Sequence, residues 1–250
     1  MCTVSIVPTS SGYRVLHSRD EQRTRAPEIP PAWRDLPGGL RACWPTDPDA
    51  GGTWVGARDD GLFLGILNLN LPKEDLDPDR PDPTISRGLV IPELMESATL
   101  RDAVDRLERM QLRGMKPFRL LLAASGENGP AIHAVARFDA MDLTMPVDPS
   151  PLDAPLCLAS SGLGDHLVQR RLPLFDEMVR PDPTPENQRR FHWHQWPDKP
   201  EYSVMMSRAA ARTSSVTTVE VQKGKEPVVL YDPIPINDPA ADPIGAGMLQ

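Results

Sequence analysis

The residue with the clearest potential for chemistry in this sequence is a cysteine at its second position. If the initiator Met1 is removed, Cys2 carries both a thiol and a free α-amine. The amine has an ordinary pKa of about 7.7–8.0 and can accept the thiol proton near neutral pH, so one residue can supply a nucleophile and its base. Because most structural cysteines are inert, Cys2 can equally be an accidental residue of a first strand.

Two short β-prone runs follow, and they place charged residues near Cys2. Residues 2–7 and 13–17 flank Pro-Thr-Ser-Ser-Gly, a pattern that predicts a β-hairpin. In an antiparallel hairpin, the end of the second strand lies beside the start of the first. We therefore expect Arg19 and Asp20 to lie near Cys2.

Composition limits the possible partners and compartments. The chain has 250 residues and a formal net charge of −8, so it lacks the basic field that nucleic acids and anionic membranes require. It contains no apolar run long enough to cross a bilayer and no leader pattern, which favours a soluble cytoplasmic protein. Three cysteines form neither an even disulfide framework nor a C-x-x-C metal pair, which fits a reducing compartment.

The order of the predicted elements indicates the fold class. We expect a domain at 1–235 and a poorly ordered tail at 236–250 that is rich in Pro, Ala and Gly. Asp-Gly between two apolar runs predicts a second hairpin that ends at Asn68. The segments 22–50 and 71–86 are interpreted as loops because of their prolines and charges. Further predicted strands lie at 118–124, 131–138, 155–161, 202–208, 213–222 and 228–231, and predicted helices at 99–110, 166–179 and 185–196. Hairpins punctuated by helices predict an α+β sandwich of two antiparallel sheets covered by helices.

Several short motifs occur in a fixed order along the chain. They are Met-Cys at the start, Ser-Arg-Asp-Glu at 18–21, Gly-Gly-Thr-Trp-Val-Gly at 51–56, Asn68, Arg-Gly at 87–88, Ser-Ser-Gly at 160–162 and Arg-Thr-Ser at 212–214. As a set, they resemble the NRDE family, also called the transport and Golgi organisation type. The pattern of that family is similar to that of the cysteine N-terminal nucleophile hydrolases, which include choloylglycine hydrolases and penicillin V acylases. The resemblance runs from Cys2 to about Thr218. It implies a four-layer αββα sandwich and hydrolysis of an amide bond.

The resemblance also implies roles for individual residues. Cys2 would be the nucleophile, and Arg19 would favour its thiolate by charge. Asp20 would hold the α-amine, much as the acid of a triad orients its base. Asn68 would donate a hydrogen bond to the developing oxyanion, and Arg212 matches a late arginine near the nucleophile.

Two further residues are assigned to substrate binding by the same resemblance. They are Trp54 of the Gly-Gly-Thr-Trp motif and Ser161. Ser161 stands where the family pattern leads us to expect a second asparagine, and Ser18 stands in place of the first asparagine of the Asn-Arg-Asp-Glu motif. A serine still donates and accepts a hydrogen bond, although its side chain is shorter.

These observations support alternative functions. The first is an N-terminal-cysteine amidohydrolase that cleaves a non-peptide amide through a thioester, with a small-molecule amide or acyl ligand and no cofactor. The second is a non-catalytic binding or trafficking protein for an acyl, lipid-like or haem ligand, and the third is a structural module with a vestigial site. His192 and His194 have no third metal ligand at a suitable spacing, which favours a surface or interface role. The sequence leaves the oligomeric state open.

Overall fold

The centre of the fold consists of two antiparallel sheets, one of six strands and one of eight. A computed structural model describes residues 2–126 and 129–235. The predicted tail at 236–250 lies outside the described residues. In chain order the strands are β1 (Cys2–Thr9), β2 (Gly12–Gln22), β3 (Ile29–Asp35), β4 (Arg41–Thr46), β5 (Val55–Arg58), β6 (Leu62–Asn68), β7 (Phe118–Ala124), β8 (Ile132–Phe138), β9 (Leu143–Thr144), β10 (Ser150–Pro151), β11 (Leu156–Ala159), β12 (Ser207–Arg208), β13 (Ala211–Gln222) and β14 (Val228–Pro233).

The first sheet carries the chain terminus. Its order is β11-β1-β2-β13-β12, and β14 also pairs with β13. Side chains alternate along β1. Val4 and Ile6 belong to the large apolar cluster shared by the two sheets, whereas Ser5 and Val7 face the outer layer. The hairpin predicted at the start of the chain is thus confirmed, with both strands longer than expected.

The second sheet has the order β10-β8-β7-β6-β5-β4-β3, with β9 beside β8. The predicted hairpins β5–β6 and β7–β8 are confirmed. The prediction of a loop at 22–50 is wrong, because β3 and β4 form a further hairpin there. Two prolines obscured β3 in the sequence, and they are tolerated because β3 is the edge strand of the sheet.

In the described part of the chain, four α-helices cover the outer faces of the sheets. They are α1 (Val90–Leu94), α2 (Leu100–Arg109), α3 (Arg171–Met178) and α4 (Pro185–His192). The first two pack on the second sheet and the last two on the first sheet, which gives the four-layer αββα order expected from the resemblance. The helix predicted at 99–110 is confirmed as α2, and Thr99 caps it, since its hydroxyl accepts a hydrogen bond from the Asp102 N–H at 3.1 Å. None of the described helices is long and apolar enough to cross a membrane.

Other element predictions need correction. The helix predicted at 166–179 begins only at Arg171, after a short 3-10 turn at Asp165–Val168. The strand predicted at 202–208 shrinks to β12 because the residues before it form turns. The segment 71–86 contains a 3-10 turn at Lys73–Asp75 and neither a strand nor an α-helix.

Candidate active site

Cys2 begins β1 and lies at the wall of a large cavity. Its register partner in β2 is Arg19, and directly opposed residues of an antiparallel pair share one face of the sheet. The cavity has a volume of about 890 Å³, and its lining includes Cys2, Arg19, Asp20, Trp54 and Asn68. Five of the seven residues expected at the site from the sequence therefore meet at this cavity.

The Cys2 thiol is held in a buried environment. Cys2 is only 5% exposed, and this burial is the main cause that raises the pKa of its thiol. The carboxylate of Asp20 raises this pKa further, whereas the positive charge of Arg19 lowers it. The backbone nitrogen of Cys2 donates a hydrogen bond to the Ser160 hydroxyl at 3.0 Å. The fold therefore buries the sulfur and holds the nitrogen that could act as its base once Met1 is removed.

Arg19 is surrounded by carboxylates. Its guanidinium lies 2.5 Å from Glu28, 3.0 Å from Asp47 and 3.0 Å from Glu21. It also stacks on the Trp54 ring, with 4.1 Å between the guanidinium carbon and the ring centroid. The positive charge of Arg19 is therefore shared among three anions and is not directed at the thiol alone.

Asp20 is held by Thr213, which lies in the Arg-Thr-Ser motif, and by Arg171, which the sequence analysis did not identify. Its carboxylate accepts a hydrogen bond from the Thr213 hydroxyl at 2.7 Å and lies 3.6 Å from the Arg171 guanidinium. Arg171 also donates to the Thr3 hydroxyl at 2.7 Å and to the Tyr202 carbonyl at 3.0 Å. No local pattern marks Arg171, because its importance comes from the packing of α3 against the first sheet.

A close backbone contact links two of the sequence motifs. The Thr53 N–H donates to the Gly88 carbonyl at 3.0 Å. A Cβ atom on Gly52 would lie 2.6 Å from the Gly88 carbonyl carbon, which explains why glycine is needed there. This contact holds Trp54 and Arg87 on the wall of the same cavity.

Asn68 ends β6 and contributes a free amide to the site. Its register partner is Phe118 of β7, which fixes where the strand ends. Within residues 2–126 and 129–235, the Asn68 side chain makes no hydrogen bond. Its N–H groups are therefore available to a ligand in the cavity.

Two of the expected site residues do not line the cavity in the described part of the chain. Arg212 donates to the carbonyls of Thr213 at 3.1 Å and Ile234 at 2.9 Å. The Ser161 hydroxyl accepts from the Leu163 N–H at 3.2 Å and so stabilises a turn. The neighbouring Ser160, which belongs to the same Ser-Ser-Gly motif but was given no role at the site, is the serine that contacts Cys2.

The expected surface role of His192 is wrong. This residue is completely buried between α4 and the first sheet, where its ring nitrogens lie 2.8 Å from the Ser5 hydroxyl and 2.7 Å from the Ser18 hydroxyl. Ser18, the departure from the family motif, therefore faces the outer helices and not the cavity. Among the described residues no group of three or more potential ligands could hold a metal.

A second cavity of about 570 Å³ adjoins the first. The residues common to both linings are Asn68, Pro83, Arg87, Lys116 and Gly162. Beyond them the second cavity is lined by many apolar side chains, among them Leu69, Leu71, Leu76, Met115 and Leu163. The two cavities thus share a stretch of lining that contains Asn68 and two cations.

Comparison with known structures agrees with the observed layers. An N-acylethanolamine-hydrolyzing acid amidase ortholog from Caenorhabditis elegans matches with a TM-score of 0.56 and 15% sequence identity, over 92% of this chain and 100% of that chain. A variant of conjugated bile acid hydrolase from Clostridium perfringens has a TM-score of 0.48 and 9% identity, with 92% of this chain and 89% of that chain covered. The latter is too dissimilar to carry an argument. The four-layer N-terminal nucleophile hydrolase fold is confirmed.

Sequence comparison gives the family. No curated protein matches the chain. The family model described as Transport and Golgi organisation 2 matches residues 1–143, which is more than half of the sequence. The chain belongs to the Transport and Golgi organisation 2 family.

Proposed function

We propose that this protein is an N-terminal-cysteine amidohydrolase that cleaves a non-peptide amide of a small acyl compound. The observation that carries the proposal is the position of Cys2, at the first position of β1, on a cavity wall shared with Arg19, Asp20 and Asn68. This set offers a nucleophile, a charge beside it, an orienting acid and an oxyanion donor. The proposal requires removal of Met1, so that the Cys2 nitrogen becomes an α-amine.

The reaction proceeds in two steps. In the first, the Cys2 sulfur attacks the amide carbonyl and the α-amine takes the thiol proton. The C–N bond breaks, the leaving amine receives that proton, and a thioester remains on Cys2. In the second step, the α-amine takes a proton from water, the hydroxide attacks the thioester, and the C–S bond breaks. The carboxylic acid leaves and the thiol is restored.

Three groups support these steps. The Asn68 amide has no competing hydrogen bond among the described residues and lines the cavity, so it is the proposed donor to the oxyanion. Loss of such a donor typically costs about 2.7–4 kcal/mol of transition-state stabilisation. Asp20 is proposed to orient the α-amine and Trp54 to contact the substrate. Arg212 and Ser161, which the resemblance assigned to the site, are left out because neither lines the cavity.

The decisive test combines the mass of the mature protein with turnover. We expect the purified protein to begin at Cys2 and to release free acid from a panel of N-acyl amides. Cys2→Ser should abolish turnover and covalent labelling by a thiol-directed electrophile. Cys43→Ser is the matched control, because Cys43 is also buried but lies in β4 and does not line the cavity. Retention of Met1, or equal turnover by the Cys2 variant, would contradict the proposal.

A second candidate function is supported by the environment of the thiol. Burial raises the pKa of the Cys2 thiol, and three carboxylates compete for the charge of Arg19. Both features oppose thiolate formation, and they favour a non-catalytic protein that binds or traffics an acyl, lipid-like or haem ligand. Native mass spectrometry of mildly purified protein should then reveal a retained small molecule. A ligand-free spectrum together with amide turnover would exclude this candidate.

The compartment proposed for either function is the cytoplasm. All three cysteines of the chain are free thiols, and all are buried. Free thiols persist in a reducing environment, which supports this assignment. Fluorescence localisation of a C-terminally tagged chain in its native cell tests it.

A further inference from the structure

The wall of the first cavity differs in charge from the rest of the protein. The formal net charge of the chain is −8. The basic residues in the cavity lining nevertheless outnumber the acidic ones by six to three: they are Arg19, Arg23, Arg25, Arg87, Lys116 and Arg208, against Asp20, Glu21 and Asp47. A local excess of positive charge in an acidic protein can attract an anionic ligand.

Part of this positive charge is already neutralised within the protein. Arg19 pairs with Glu21 and Asp47, and Arg25 also pairs with Asp47. Arg23 donates hydrogen bonds to the carbonyl of Arg208 and to a neighbouring serine hydroxyl. These arginines therefore have fixed partners and contribute structure at the cavity rim.

Arg87 and Lys116 differ from Arg19 and Arg25, which pair with carboxylates. Across residues 2–126 and 129–235, no carboxylate oxygen lies within 4.0 Å of either cation. One Arg87 N–H group donates to the Pro117 carbonyl at 2.8 Å, which fixes the guanidinium beside the residue that follows Lys116 in the chain. Arg87 is only partly exposed to solvent. A partly buried guanidinium without an anionic partner is unfavourable, and a ligand anion would relieve this cost.

Arg87 lies in the same cavity as the nucleophile Cys2. Burial lowers the pKa of Arg87, and the charges that oppose this shift are those of the thiolate form of Cys2 and of Glu21. Arg87 also lines both cavities, as do Lys116 and Asn68. An anion bound here would sit where the two cavities meet.

We propose that Arg87 and Lys116 form an oxyanion-binding subsite that selects amides carrying a carboxylate or phosphate group. The guanidinium offers paired N–H donors that match either group, and the ammonium adds a second positive charge. Apolar side chains of the second cavity, Leu69, Leu71 and Met115 among them, accommodate the hydrocarbon part of the same molecule. This inference deepens the proposed function, since it names the substrate class of the same cavity.

The experiment measures binding separately from turnover. Full-length protein carrying Cys2→Ala, which cannot form a thioester, is titrated calorimetrically with three probes of equal chain length. They are N-octanoylglycine, its neutral analogue N-octanoylglycinamide, and N-octanoyl-O-phosphoethanolamine. We expect the better anionic probe to bind about tenfold or more tightly than the neutral one, as charge-assisted hydrogen bonds allow, and this preference to weaken at high salt.

Variants assign the preference to the subsite. In Arg87→Met, the affinity for the anionic probe should fall to within about twofold of the affinity for the neutral probe. In Lys116→Met, the preference for the anionic probe should be reduced in part. Arg113→Met is the matched control, because Arg113 is exposed and lines neither cavity. This substitution removes the same positive charge from the protein. A melting temperature for each variant confirms that it is folded. Whichever anionic probe binds more tightly identifies the group as carboxylate or phosphate.

The outcomes separate this inference from the proposed function. Arg87-dependent binding of an anionic probe without hydrolysis by the wild-type protein would support the subsite and refute the amidohydrolase. Equal binding of neutral and anionic probes, or no anion binding, would overturn the subsite even if neutral amides are hydrolysed. A preference that survives in the Arg87 and Lys116 variants would overturn it as well.

Discussion

The buried contact between Arg171 and Asp20 offers the sharpest test of how the site is built. Both side chains are only 1% exposed, and the closest N–O distance between them is 3.6 Å. Arg171→Met removes this positive charge and two further hydrogen bonds, to Thr3 and to the Tyr202 carbonyl. Breaking one side of a buried ion pair costs about 3–5 kcal/mol, because the remaining charge stays buried. We expect a loss of this size in the free energy of unfolding.

An exposed ion pair provides the control. Arg180 and Asp176 in the α3 region lie 2.9 Å apart, with side chains 47% and 52% exposed. Arg180→Met should therefore cost no more than about 0.5 kcal/mol. The assay is urea denaturation followed by circular dichroism for both variants, with Asp20→Asn and the Asp20/Arg171 double variant added. The two buried substitutions should be non-additive. If Arg171→Met costs no more than Arg180→Met, the reasoning about Asp20 is refuted.

Other predictions concern acid stability, the glycine contact and the thiol. Burial lowers the pKa of His17 and His192 to about 3, so below about pH 6.5 the unfolded chain binds protons that the folded chain does not. As the pH falls, the free energy of unfolding should decrease by up to about 1.4 kcal/mol per pH unit for each histidine. In denaturation curves recorded at several pH values, His17→Leu should remove half of this slope. A free energy of unfolding that does not change from pH 7 to 5 would contradict this prediction. Gly52→Ala should lower the free energy of unfolding by about 1–3 kcal/mol, because the added Cβ atom would overlap with Gly88. Gly129→Ala is the control and should not lower it, because there is open space around Gly129. Equal melting temperatures of the two variants would exclude the close contact between Gly52 and Gly88. Because burial raises the pKa of Cys2, its alkylation in the chain that retains Met1 should require a higher pH than that of a free cysteine, as mass spectrometry of the labelled peptide can measure.

Much of the scaffold could be predicted because its signals are local. The turn at residues 8–12 predicts the first hairpin, and the structure pairs Cys2 with Arg19 accordingly. Thr99 and the apolar spacing after it predict α2. The edge strand β3 was missed because its prolines resemble a loop until a neighbouring strand is known.

The candidate site was only partly accessible from the sequence. The resemblance supplied Cys2, Arg19, Asp20, Trp54 and Asn68, which do line one cavity. It did not indicate that three carboxylates surround Arg19 or that Arg171 faces Asp20. It also assigned Arg212 to the site, whereas in the fold this guanidinium donates to the carbonyls of Thr213 and Ile234.

What the sequence by itself determined is the Cys2 hairpin, the strand that ends at Asn68 and the order of the motifs, because turn residues and short-range patterning decide each of these. Only the tertiary structure decided which distant side chains share a space. Gly52 touches Gly88 across two segments, and this contact brings Arg87 to the wall near Cys2. Such contacts depend on how the sheets and the loops between them pack, and packing joins residues far apart in the chain. The charge of the cavity is therefore a property of the folded protein, and the spacing of residues in the sequence does not reveal it.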